Sequence, residues 1–313
     1  MTAAAVGLSH SPLIGRNDPA PDVLARVAQA VAGARDFVRA YDPELVVLYA
    51  PDHYNGFFYK EMPPFCLATE AHAVGDFGTG AGPLSVDTEA AKTLAQGVLD
   101  RGVDLTVSAR MTVDHGFAQP LEVLFGGIDR VPVVPVFVNG VATPLGPVGR
   151  IRALGTAIGR AAAELDRRVL FLASGGLSHD PPVPVLDGAP PRVADALIEG
   201  RPPTPEQRAR GEERVVQAGR DYAAGSTAMI PINPEWDNRL LDHLEKGELA
   251  AFDTWSVEGM AREGGGSAHE VRAWIAAFAS LAAASESGAY EMTSRFYEAI
   301  PAWIAGFAVA TAR

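Results

Sequence analysis

The chain has 313 residues, 48% of them hydrophobic and 20% charged, which supports a sizeable core and excludes a disordered segment. A formal net charge of −12, with no basic tract against it, excludes nucleic acid as a partner. The single cysteine, Cys66, excludes an intrachain disulfide and fits a reducing compartment.

Taken in chain order, short apolar runs alternate with amphipathic segments. AAAVGLS reads as a first strand, residues 20–40 as a helix and ELVVLYA as a second strand. Residues 86–101 follow as a helix, then the strands VDLTVSA and VPVVPVFVN, a helix over 147–165 and the strand RVLFLAS. Pro132 and Pro135 place VPVVPVFVN near a sheet edge. Residues 181–205 are proline-rich and loop-like, and helices dominate afterwards, over 205–224, 234–246 and 267–285. The closing stretch IPAWIAGFAVATA is expected to be a packed helix.

The alternation predicts an α/β fold with a largely parallel central sheet flanked by helices. No flexible polar linker interrupts the chain, so residues 1–313 are expected to form one domain. The first residues, MTAAAVGLSHSP, lack the basic region of a signal peptide, and no apolar run reaches the ~18–20 residues that cross a bilayer. A soluble cytoplasmic protein without a membrane partner is expected.

Three of the seven histidines share a context: His10, His53 and His179 each follow a predicted strand by a few residues. In a parallel open sheet the carboxyl ends of the strands share one edge, and ligands bind there. His115, in TVDHGFAQP, can reach the same edge. His72, His243 and His269 have no comparable context. Converging imidazoles suit metal binding or proton transfer, and two histidines with one carboxylate leave open positions on a metal. Asp52, Asp114, Glu122 and Glu270 are the candidate carboxylates. Ser267 and Glu270 also have the S-x-x-E spacing of a capping box, worth about 1 kcal/mol, and on the residues alone the cap is the favoured role of Glu270.

Five motifs in order carry a resemblance: LSHSPL at 8–13, PDHYNGFF at 51–58, VDHGFAQPL at 113–121, SGGLSH at 174–179 and HEVRAWIAAF at 269–278. Together they resemble the class III extradiol ring-cleavage dioxygenases, the family of the protocatechuate 4,5-dioxygenase catalytic subunit. The resemblance implies Fe(II) held by His10, His53 and Glu270, against the capping role. It implies an acid–base pair in His115 and His179, and a 3-substituted catechol and O2 as substrates. It also implies a homo-oligomer. Around these residues, Asp114 is expected to orient His115, Asp52 to support the metal ligands, Tyr54 and Asn55 to line the pocket, and Pro181 to fix the loop after His179. The residue types also permit a Zn(II)-dependent hydrolase, and the Memo-like proteins on a similar scaffold make a non-catalytic binding protein a further alternative.

Overall fold

The computed structural model describes residues 3–226 and 228–313. The strands are β1 (Ala3–Leu8), β2 (Leu45–Ala50), β3 (Phe65–Ala68), β4 (Ala71–Val74), β5 (Ala81–Pro83), β6 (Thr106–Ser108), β7 (Met111–Val113), β8 (Val133–Val138), β9 (Val169–Ser174), β10 (Met292–Ile300) and β11 (Ala305–Ala312). The helices are α1 (Pro21–Tyr41), α2 (Thr88–Asp100), α3 (His115–Phe125), α4 (Val148–Ala163), α5 (Pro191–Glu199), α6 (Pro205–Ala223), α7 (Pro234–Glu245), α8 (Val257–Gly264) and α9 (Val271–Ala284).

The main sheet runs β10-β11-β1-β9-β2-β8-β3-β6, and a small sheet runs β5-β4-β7. Its centre, β1-β9-β2-β8, is parallel throughout, while β11 and β3 join it antiparallel. Every residue of β2 is buried, and alternate residues serve opposite faces. Leu45, Val47 and Tyr49 pack with Leu94 of α2, Leu154 of α4 and Phe278 of α9. Val46 and Leu48 pack with Val38 of α1 and with Phe117 and Leu121 of α3. The near-continuous apolar strands are thus explained by helices on both faces.

Three expectations fail for identifiable reasons. The strand VPVVPVFVN is interior, not at an edge. The N–H of Val133 donates to Ser85, on the side away from β2, and alternation turns the nitrogen of Pro135 to that same side. There Pro135 falls between the Val86–Val133 bridge and the ladder to β3, which begins at Val136, so its missing N–H breaks no pairing. The closing residues form the hairpin β10–β11 rather than a helix. A short apolar run fits either structure, and the open edge of β1 beside β11 decides for the strand. The proline-rich segment contains α5, which starts at Pro191, where the missing N–H and fixed φ suit a first helical turn.

Helix α9 lies unusually close to α4. A Cβ on Gly155 would stand 2.3 Å from the carbonyl oxygen of Ala276, and one on Gly159 2.2 Å from that of Ser280. The Ser280 hydroxyl donates to Gly155 and meets the Tyr49 hydroxyl of β2 at 2.6 Å. Small residues on α4 therefore set the position of α9 against the sheet. Gly155→Val is expected to lower stability by about 3 kcal/mol, because backbone rather than a flexible side chain must yield. Denaturant unfolding checks this, and an unchanged midpoint would show that α9 is free to shift.

Candidate active site

The parallel strands deliver their residues to one edge. His10 follows β1, His53 follows β2, and the Gly175–His179 loop follows β9. Strand β11 braces two of these segments: Ser9 N–H donates to Ala308, and Gly306 exchanges hydrogen bonds with Leu177 and Ser178. His115 arrives differently. It opens α3 directly after β7 of the small sheet, and Asp114 caps that helix by accepting from Gly116 N–H. Glu270 closes a single 3-10 turn, Ala268–Glu270, just before α9. Its backbone lies against Gly175, where a Cβ would stand 2.9 Å from the Glu270 carbonyl oxygen.

The four imidazoles share one arrangement. His10 Nδ1 lies 2.8 Å from Ser174 Oγ, whose own proton goes to the Gly116 carbonyl at 2.6 Å. Ser174 can therefore only accept, so His10 carries its proton on Nδ1. His53 Nδ1 donates to Asp114 Oδ2 at 3.1 Å, His115 Nδ1 to Asp76 Oδ2 at 2.5 Å and His179 Nδ1 to the Leu177 carbonyl at 2.8 Å. With every Nδ1 held, Nε2 is the nitrogen left to face the site, and three of the four reach Glu270. The contacts are His10 Nε2 at 3.4 Å, His53 Nε2 at 3.1 Å and His179 Nε2 at 3.0 Å. The rings pack closely, His53 stacking on His115 with centroids 4.6 Å apart and His10 meeting His115 edge-on at 5.3 Å.

Burial governs the charges. It drives the His10 imidazole down to about 3, so this ring is neutral. For His53 burial also opposes the charged form, but Asp114 and Glu270 outweigh it and raise the ring well above its ordinary value. Burial likewise opposes charge on His115, outweighed by Asp76 and Asp114, and on His179, outweighed by Glu270. The Glu270 carboxyl, resisted by burial, is held well below the usual range by His179 and His10. Burial pushes Asp52 up to about 7, with Asp114 adding to the rise.

The donor set fits a metal ion. Ligand atoms bound at about 2.1 Å and at right angles stand roughly 3 Å apart, which is the spacing of Glu270 from His10 and His53. His10, His53 and His115 also present ligand atoms within 4.8 Å of one another. A second acidic group, Asp76, Asp114 and His115, lies equally close together, but its carboxylate oxygens already accept from backbone N–H groups and ring nitrogens. That second group orients the histidines.

The sequence-predicted residues come together with some exchanged parts. His10, His53, His115, His179 and Glu270 meet in one cluster, all buried but the half-buried His53. Ser267 makes no side-chain cap, so the capping box is absent and the Glu270 carboxylate is free to face the histidines. Asp114 binds His53 rather than His115, and Asp76 holds His115 instead. Among the described residues Asp52 makes no hydrogen bond to a site imidazole. It accepts from the N–H groups of Asn55, Gly56 and Phe57 and so shapes the loop after His53. Asn55 donates to Asp114 Oδ2, and Tyr54, with φ 57°, stacks on Tyr59. The Pro181 carbonyl accepts from Val183 N–H in the loop beyond His179. Glu122 lies apart from the cluster, its carboxylate accepting from Gly80 N–H. His72 is on β4 and His243 pairs with Glu248. Sequence reasoning missed Asp76, Ser174 and Asp237. Asp237 of α7 accepts from the N–H and hydroxyl of Ser178 and from Tyr297, fixing the residue before His179. Only Ser174 had a signal, the last residue of a predicted strand.

The fold and this cluster define a class. Residues 4–308 match the family described as the catalytic LigB subunit of aromatic ring-opening dioxygenase, and the chain belongs to that family. It is therefore a metal-dependent dioxygenase acting on a small aromatic molecule and O2, which displaces the hydrolase and binding-protein alternatives. Over 312 residues it is 55% identical to a protein of Rhodococcus jostii (strain RHA1) named 2,3-dihydroxyphenylpropionate/2,3-dihydroxicinnamic acid 1,2-dioxygenase, covering 100% of this chain and 98% of that one. Proteins of the same name from Mycolicibacterium paratuberculosis (53% identical over 313 residues, 100% and 99% covered) and Paraburkholderia phymatum (53% over 300 residues, 96% and 94% covered) are similar to it. Among the described residues no helix is long and apolar enough to cross a membrane.

Ser174→Ala removes the acceptor that holds His10 Nδ1. Metal affinity is expected to fall about 10–100-fold with little change in stability. Competition against a chromophoric chelator measures it, and unaltered affinity would remove Ser174 from the positioning of His10.

Proposed function

We propose that the chain is an Fe(II)-dependent extradiol dioxygenase of 3-substituted catechols. The foremost substrates are 3-(2,3-dihydroxyphenyl)propionate and its cinnamate analogue, opened to 2-hydroxy-6-oxonona-2,4-diene-1,9-dioate-type products. The observation that carries this reading is the convergence of imidazole Nε2 atoms on Glu270, each ring turned inward by a bond at Nδ1. The names of relatives 53–55% identical along nearly the whole chain support the substrate.

His10, His53 and Glu270 would hold the iron. Two neutral imidazoles and one carboxylate leave Fe(II) one net positive charge, which suits a catechol that has lost one proton. Bound Fe(II) supplies the electron path by which triplet O2 reacts with a closed-shell ring. His115 also presents a ligand atom within 4.8 Å of those of His10 and His53, but Asp76 favours its protonated form, which suits a proton donor better than a ligand. His53 has acceptors at both ring nitrogens, Asp114 and Glu270, so in the metal-free protein a proton stands on Nε2 where the metal would be.

With Glu270 engaged by the metal, His179 Nε2 no longer has that carboxylate to donate to and can take the proton of a catechol hydroxyl, while the Leu177 carbonyl keeps its ring in place. His115 returns a proton during ring opening, oriented by the buried carboxylate of Asp76. Burial of all these groups excludes water from the proton transfers. The same reading takes residues 1–313 as one catalytic domain, acting in the cytoplasm as a homo-oligomer.

Metal-stripped protein is to be loaded with Fe(II) or Zn(II) and given 3-(2,3-dihydroxyphenyl)propionate in air. Yellow product and O2 uptake with Fe(II) alone are expected, and neither with a loaded Fe(II) site across several catechols would sink the proposal. His115→Asn is expected to lower kcat by ~10²- to 10⁴-fold while Fe(II) still binds. Loss of iron from that variant would make His115 a ligand instead.

A further inference from the structure

Among the described residues, the buried side-chain polar atoms without a hydrogen-bond partner are His269 Nδ1, Arg272 Nε and Arg272 Nη2. They belong to one helical face, at i and i+3, on either side of Glu270. Arg272 is 1% exposed and His269 4%. A buried guanidinium without a counter-ion is strongly unfavourable, because desolvation of the charge is not returned by any partner. Among the described residues, the one side-chain hydrogen bond of Arg272 runs from Nη1 to the Gly146 carbonyl at 2.8 Å. Burial pulls its pKa down to about 10, with no anionic neighbour to raise it. It nevertheless stays charged near neutrality.

The atoms left over have a particular geometry. Nε and Nη2 form the edge of a guanidinium whose two N–H bonds run parallel and grip both oxygens of a carboxylate. Elsewhere in this chain that edge is used in just this way. Arg26 donates from Nε and Nη2 to the two oxygens of Glu298, at 2.9 and 3.0 Å, and Arg152 uses the same pair on Asp253. In Arg272 the same two atoms meet no partner among the described residues. His269 Nδ1 adds a third polar atom beside it. A neutral imidazole can carry its proton on Nδ1 and donate it to the same anion.

The location connects this fork to the site. Glu270 faces the histidines, and His269 and Arg272, one residue before it and two after, meet the loop that follows β8. Gly140 of that loop lies against the His269 carbonyl, where a Cβ would be 3.0 Å away, and Gly146 receives Nη1. An aromatic substrate gripped by its two hydroxyls carries a side-chain carboxylate away from those hydroxyls. Its anchor must stand beside the metal-holding residues, not among them.

We propose that Arg272, through Nε and Nη2 and assisted by His269 Nδ1, is the subsite for the side-chain carboxylate of the catechol and so determines specificity for acidic substrates. This rests on the ring-cleavage reading for the identity of the substrate, but the carboxylate fork stands on the unpaired atoms alone. The occupied subsite resolves the unfavourable burial. A neutral side chain leaves a buried charge unpaired, the situation in which a site discriminates most strongly.

The test is binding without turnover. Fe(II)-loaded protein under argon is titrated calorimetrically with 3-(2,3-dihydroxyphenyl)propionate and with 3-propylcatechol, which lacks the carboxylate. Wild type is expected to bind the acid at least tenfold more tightly, Arg272→Met to lose that preference, and Arg272→Lys to recover part of it. Because an unpaired buried charge is being removed, the Tm of Arg272→Met should equal or exceed that of wild type. The proposal is overturned if wild type shows no preference, if Arg272→Met keeps it, or if that variant melts several degrees lower and binds both ligands equally weakly. Preference that depends on Arg272 without O2 uptake in air would uphold the subsite and refute the ring-cleavage reading.

Discussion

Each imidazole of the cluster is tied by its Nδ1 to an acceptor outside it, and the candidate site depends on this constraint. The acceptors differ: a serine hydroxyl for His10, Asp114 for His53, Asp76 for His115 and a backbone carbonyl for His179. The consequence is common. Holding the Nδ1 proton outside the cluster turns Nε2 inward, and on a neutral ring that nitrogen is a lone pair ready for a metal. Without those ties the rings could take either tautomer and rotate, and the approach of Nε2 atoms to Glu270 would not be fixed.

The fold supplies the ties from both of its layers. The carboxyl edge of the parallel strands brings His10, His53 and Ser174 to one level, which is where an open parallel sheet presents its ligands. Glu270 comes from the other side, at the head of a helix that Gly155 and Gly159 hold against α4. Trp274, one turn along α9, donates to the Gly175 carbonyl and locks the helix to the loop after β9. Small residues at the helix contact and a short hydrogen-bonded loop at the strand end therefore jointly set the distance between carboxylate and imidazoles.

Much of this was legible in the sequence. The near-continuous apolar strands and the amphipathic segments between them gave the layered architecture, and histidines just past strands gave the edge. The residues that orient those histidines were not legible. Asp76 lies 39 residues from His115 and meets it only through tertiary folding. Asp114 stands next to His115 in sequence yet turns to His53, because its other oxygen caps α3. Glu270 had an attractive local role as a cap, and only long-range contacts remove it. The closing strand was misread as a helix because a short apolar stretch has no period of its own, and its pairing with β1 lies nearly the whole chain away.

The most direct measurement is anomalous diffraction at the iron edge from crystals loaded with Fe(II) under argon. One metal peak is predicted, bonded to Nε2 of His10, Nε2 of His53 and the carboxylate of Glu270, with His115 and His179 outside bonding distance. A peak bonded through any Nδ1, or to His115 in place of Glu270, would contradict the account.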